Sequence, residues 1–119
     1  MLSAYITDVT DPMGLLSPQR ISETLRMPLA QLARLVHVHR NTMTRHPGSP
    51  SVQARLGEVA RVIATAADLL GGDTGRAVLW FRHQPLSGFD GQTAEDLVAA
   101  GAVEAVLAHL ETLRDGGYG

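Results

Sequence analysis

The chain has no cysteine and no lysine, only five aromatic residues, and no apolar run near the ~20 residues that a membrane-spanning helix needs. Absence of cysteine excludes disulfides, thiolate zinc sites and cysteine nucleophiles together. Every basic side chain is an arginine, which excludes the lysine of a phosphate-binding loop and a Schiff-base lysine. The opening residues MLSAYITDVTDPMG carry acids and no basic cluster ahead of an apolar segment, so they do not resemble a secretory signal, and the expected location is the cytoplasm. What is present, 119 residues of ordinary globular composition, is enough for one cooperative core that buries roughly two-thirds of the unfolded surface.

The small net charge of −2 hides an asymmetry. Residues 17–50 hold five arginines against one acid, a balance of +4, whereas residues 51–119 hold five arginines against nine acids, a balance of −4. Opposite charge on the two parts points to opposite partners, an anion such as nucleic acid for the first and something other than nucleic acid for the second.

Local signals divide the chain into helices. Residues 1–16 show no sustained period and read as an arm ordered only in part. Ser17-Pro18 is an N-cap and first-position pair, and Ile21 with Leu25 gives the following helix a short apolar stripe. Pro28 starts the next one. Pro47-Gly48-Ser49-Pro50 cannot continue a helix and marks a boundary, after which Val52, Leu56, Val59, Ile63, Ala66 and Leu70 wind one stripe along a long helix. That stripe suits either core packing or a dimer seam. Gly71-Gly72 ends it, and Asp73 caps a helix through Trp80 and Phe81 that must finish before Pro85. Thr93 with Asp96 resembles a capping box, and Val103, Val106, Leu107, Leu110 and Leu113 define a last helix that Gly116-Gly117 ends. No segment alternates with period two, so the predicted fold is all-α, with about seven helices: a helix-turn-helix followed by a small C-terminal helical domain.

The stretch Leu29 to His46 reads as two short helices around a tight turn. Leu32, Ala33 and Val36 form an apolar face that Val38 and Met43 close over, and His39, Arg40, Asn41, Thr44 and Arg45 are left facing outward. The turn calls for positive φ, and the residue there is His37. Arg40 and Asn41 are the natural base readers, since arginine matches guanine and asparagine matches adenine bidentately; Gln31 and Arg34 are placed to hold phosphates.

Other constellations have simpler explanations. His37, His39 and His46 lack the spacing of a zinc helix and have no nearby Cys, Asp or Glu, so no metal or other cofactor is expected. Gly71-Gly72-Asp73-Thr74-Gly75 resembles a phosphate loop but lacks the lysine, and a helix stop followed by a cap accounts for every residue. His83, Ser87 and Asp90 lie close in sequence with no strand or elbow to present them as a triad, and no enzyme is expected. Trp80 and Phe81 read as core, Tyr118 between glycines as a frayed end.

Taken in order, Ala77, Trp80-Phe81, Pro85, Phe89-Asp90-Gly91, Thr93 with Asp96-Leu97, Gly101, Val106, Leu110 and the closing Asp115-Gly116-Gly117-Tyr118 resemble the MbcA/ParS/Xre antitoxin family. The resemblance covers about Val52 to Tyr118, with an Xre-like helix-turn-helix before it. Where the family often carries a proline at the start of one helix, this chain has Thr93-Ala94. The resemblance implies a homodimeric antitoxin that neutralises a RES-domain, NAD-consuming toxin with residues 51–119 and represses its own operon by binding operator DNA through residues 17–50. It places toxin contact on Pro85, Phe89 and Asp90, on the last helix, and on the tail Gly116, Gly117, Tyr118 and Gly119. The tail would bend at its glycines, put Tyr118 into a slot for a nucleotide ring and bring the terminal carboxylate to arginines that hold NAD phosphates. Two other readings stand beside it: a helix-turn-helix regulator without a toxin partner, and an interaction module whose helix-turn-helix no longer binds DNA.

Overall fold

A computed structural model describes residues 4–116. It holds eight helices: α1 (Ala4–Val9), α2 (Pro18–Leu25), α3 (Leu29–Leu35), α4 (Arg40–Arg45), α5 (Pro50–Leu69), α6 (Thr74–His83), α7 (Ala94–Ala99) and α8 (Val103–Arg114). The all-α expectation holds. Among the described residues the only extended pairings are isolated antiparallel bridges, Thr10 with Leu16 and Pro85 with Thr93.

Helix starts follow the capping chemistry. The Ser17, Ser49 and Asp73 side chains accept from the amides of Arg20, Val52 and Arg76. Thr93 and Asp96 form a complete reciprocal box, Thr93 Oγ1 accepting from the Asp96 amide at 3.1 Å and the Asp96 carboxylate from the Thr93 amide at 3.0 Å. Pro28 stands one position earlier than anticipated, as an N-cap that offers no side-chain bond. Gly71 and Gly72, both at positive φ (76° and 84°), end α5 before Asp73 caps α6, so that glycine-rich stretch is a helix stop and a helix start.

α5 is the axle. Val52, Leu56, Val59 and Ile63 are fully buried, and so are Ala60 and Val62 beyond the single anticipated stripe, because α1, α6 and α8 all pack against this helix. Apart from half-buried Leu70 at its end, the stripe is therefore consumed by the core rather than left as a free seam. One apolar cluster runs from Tyr5 to Leu110 and joins residues 17–50 to residues 51–119. Phe81 is fully buried as anticipated; Trp80 is only half-buried, with one side against the core and the other toward solvent.

The N-terminal segment departs from the partly ordered arm. Residues 4–9 form α1, whose Tyr5 and Val9, four apart on one face, are buried against α5. Burial pushes the Tyr5 hydroxyl up to about 12 from its ordinary 10, against the smaller opposing effect of its hydrogen bond with Thr24 Oγ1 at 3.3 Å. The folded state thus holds this proton more tightly than the unfolded state. Its contribution is complete below pH 10 and is lost as pH rises from 10 towards 12, by roughly 2–3 kcal/mol at about 1.4 kcal/mol per pH unit. With neither lysine nor cysteine in the chain, this alkaline limb is free of their titrations. Urea unfolding followed across that pH range is expected to show it, and Tyr5→Phe to remove it.

Candidate nucleic-acid interface and partner surface

α3 and α4 form the anticipated two-helix hairpin. Leu32, Ala33, Val36 and Met43 are buried, and half-buried Val38 packs on the same core. The turn between them is set by His37, which adopts φ 59°, the left-handed conformation the turn requires. Its imidazole Nε2 lies 2.6 Å from the carbonyl oxygen of Ala99, the last residue of α7. Glycine would satisfy the backbone but could not make this bond, which explains why a histidine serves here: the side chain closes an otherwise open helix-end carbonyl.

His39, Arg40, Asn41, Thr44 and Arg45 are all exposed on and just before α4. Each has a defined hydrogen-bonding state. His39 is the N-cap of α4, its Nδ1 accepting from the Asn41 amide at 3.2 Å, so Nε2 carries the proton and is a donor toward solvent. Thr44 gives its hydroxyl proton to the Arg40 carbonyl at 2.8 Å and is left as an acceptor. Among the described residues, the Arg40, Asn41 and Arg45 side chains make no hydrogen bond or ion pair. Two arginine forks, one carboxamide, one donor and one acceptor on one short helix match the chemistry of base edges and phosphates. Arg34 is also exposed. Gln31 differs from expectation: it is half-buried and donates to Glu95 Oε2 at 3.4 Å, beside a carboxylate that a phosphate would avoid. Among the described residues no group of three metal-ligating side chains comes together.

Sequence reasoning missed the ties that hold this hairpin to the rest of the molecule. Arg82 of α6 donates through Nε to Glu95 Oε1 at 3.0 Å and through Nη1 to the carbonyls of Leu25 and Arg26 at 3.2 and 2.9 Å. One guanidinium thereby closes the C-terminal end of α2 and fixes the carboxylate that meets Gln31. With His37 on Ala99, α7 grips α3 near both of its ends. The signal available in sequence, an arginine and a glutamate 13 positions apart, carries no periodicity that would pair them.

On the C-terminal side, residues 85–93 fold back on themselves. Pro85 bridges Thr93, the Leu86 amide bonds the Gln92 carbonyl at 2.8 Å, and Asp90 and Gly91 turn the chain at φ 54° and 78°. Leu86 is buried and anchors the loop from below. Phe89 packs edge-on against His109 of α8, ring centroids 6.0 Å apart, so the loop and last helix form one surface with Pro85 and Asp90 exposed. Gly116 lies exposed at φ 86° just after α8; Gly117, Tyr118 and Gly119 fall outside the described residues. His83, Ser87 and Asp90 are exposed and no hydrogen bond links them.

Compared with models of protein families, with curated proteins and with solved structures, the chain has no match. No helix among the described residues is long and apolar enough to cross a membrane.

Proposed function

We propose that this chain is a DNA-binding antitoxin: the α3–α4 hairpin reads an operator in its own promoter, and the C-terminal half binds and inhibits a RES-domain, NAD-consuming toxin. The observation that carries the reading is the outward face of α4, where Arg40, Asn41 and Arg45 stand exposed and, among the described residues, unpartnered on a helix whose inner face is locked by Met43. Arg40 and Asn41 read base edges, while Arg45, Arg34 and the His39 Nε2 donor contact the backbone. A homodimer would place two such helices on a two-fold operator, one turn of duplex apart.

The toxin half of the proposal rests on the series of residues, taken in chain order, that carries the family resemblance, and is supported by the contact of Phe89 with His109, which sets the loop of residues 85–93 beside α8 so that Pro85, Phe89 and Asp90 share one surface. The test of the DNA half is a salt titration with duplex from upstream of the chain's own gene beside unrelated duplex. Affinity for the promoter is expected to exceed that for unrelated DNA and to fall steeply as salt rises. No binding at low salt, or equal affinity for both duplexes, would refute it.

A further inference from the structure

Leu79 is one of two large apolar side chains left exposed among the described residues, at 56%, and it sits in the middle of a ten-residue helix rather than in a turn. The outward ridge of α6 runs Arg76, Leu79, Trp80 and His83, residues that helical spacing stacks on one face. A groove flanks the ridge on each side. One, of about 350 Å³, lies toward α2 and is lined by Glu23, Arg26, Gly75 and Val78. The other, of about 360 Å³, lies toward the end of α5 and is lined by Leu70, Trp80 and Gln84. Their charge runs against that of residues 51–119. Among the described residues the side chains of Arg26, Arg76 and His83 make no hydrogen bond or ion pair, Arg82 is neutralised by Glu95, and Glu23 is the single acid lining either groove. Asp73 at the helix start is occupied in capping Arg76.

We propose that this ridge is a docking surface for an acidic amphipathic helix of a partner protein. Its apolar face straddles Leu79 and enters the two grooves against Val78, Leu70 and the open side of Trp80, and its acidic flanks meet Arg26, Arg76 and His83. An apolar centre with a tryptophan and an arginine rim is the composition that concentrates binding energy at protein interfaces, and an amphipathic helix laying its apolar face into apolar grooves is a recurring mode of recognition. The apolar ridge and Glu23 argue against a nucleic acid here. The inference is independent of the toxin and operator assignments.

Trp80 is the only tryptophan in the chain and lines one groove, so its fluorescence reports occupancy directly. The probes are a set of tryptophan-free amphipathic helical peptides of about five turns, in an acidic series and a basic series with the same apolar face. The acidic series is expected to shift Trp80 emission with Kd near the micromolar range and the basic series to bind about tenfold more weakly or not at all. Leu79→Ser and Arg76→Glu, both on exposed side chains and checked by circular dichroism, are each expected to weaken the acidic peptides by about tenfold or more. Equal binding of both series, or binding of neither, overturns the proposal. So does duplex DNA giving the same emission shift with sensitivity to Arg76→Glu but not to Leu79→Ser, which assigns the ridge to nucleic acid. Sedimentation showing a dimer that Leu79→Ser converts to monomer also overturns it, since a second copy would then be the occupant.

Discussion

If α4 reads the operator as proposed, replacing Arg40 and Arg45 together with alanine is expected to reduce affinity for promoter DNA by about 30-fold or more, at roughly 1–3 kcal/mol per arginine and tenfold per 1.4 kcal/mol. It also flattens the salt dependence by about one unit of log–log slope for each phosphate that an arginine no longer neutralises. The fold should be indifferent to the change, because both side chains are exposed and neither has a partner among the described residues. Binding curves at several salt concentrations, together with unchanged circular dichroism, check the expectation. A double variant that binds within about threefold of the parent, against losses of that size, would show that α4 is a solvated surface and not a reading helix. Asn41→Ala refines the result, since a carboxamide that pairs with adenine should cost affinity at one base position and leave the salt slope alone.

The second large effect belongs to a residue outside both proposed binding surfaces. Gln53 on α5 accepts from the Leu16 amide at 2.9 Å and donates to the carbonyls of Leu16 and Pro47 at 2.9 and 2.8 Å. One carboxamide thus ties the segment before α2 and the exit from α4 to the central helix. Gln53→Leu keeps the volume but orphans one amide and two carbonyls, and is expected to cost about 2–4 kcal/mol and to lower the melting temperature by roughly 10 °C. Gln53→Glu retains only the acceptor role and should also destabilise, because the added carboxylate oxygen faces two carbonyl oxygens. Since Pro47 follows α4 by two residues, the same variants should weaken DNA binding without altering any group that faces the duplex. Thermal melts of the three chains decide the first point, and promoter binding at a temperature where all remain folded decides the second.

The caps and breakers made much of this architecture legible. Ser17, Ser49, Asp73 and the Thr93–Asp96 pair each announce a helix start through a side chain that bonds an amide three residues on, so the whole signal lies within one turn. The hairpin was legible for a similar reason, because Leu32, Ala33, Val36 and Met43 form a local apolar pattern and the readers are what the pattern leaves over. α1 was not, since six residues with two buried positions cannot establish a period. Gln53 interrupts an otherwise amphipathic helix as a polar side chain and reads as solvent-facing until its partners, 37 positions away at Leu16, are seen. Arg82, Glu95, Gln31 and His37 are of the same kind: exposed residues by composition, made structural by bonds across the chain.

These ties bear on how the two proposed activities would relate. α7 follows directly from the loop of residues 85–93 through the Thr93 cap, and its two ends reach the α3–α4 hairpin, Glu95 at Gln31 of α3 and Ala99 at His37 of the turn. The surface proposed for the toxin and the helix proposed for the operator are therefore built into a single apolar core rather than joined by a linker.

The most direct test of the account is coexpression of the full chain with the RES-domain enzyme that the proposal names as its target, with cellular NAD as the readout. NAD held at the level of cells lacking the enzyme is the predicted result, and NAD falling as far as it does with the enzyme alone would contradict the account.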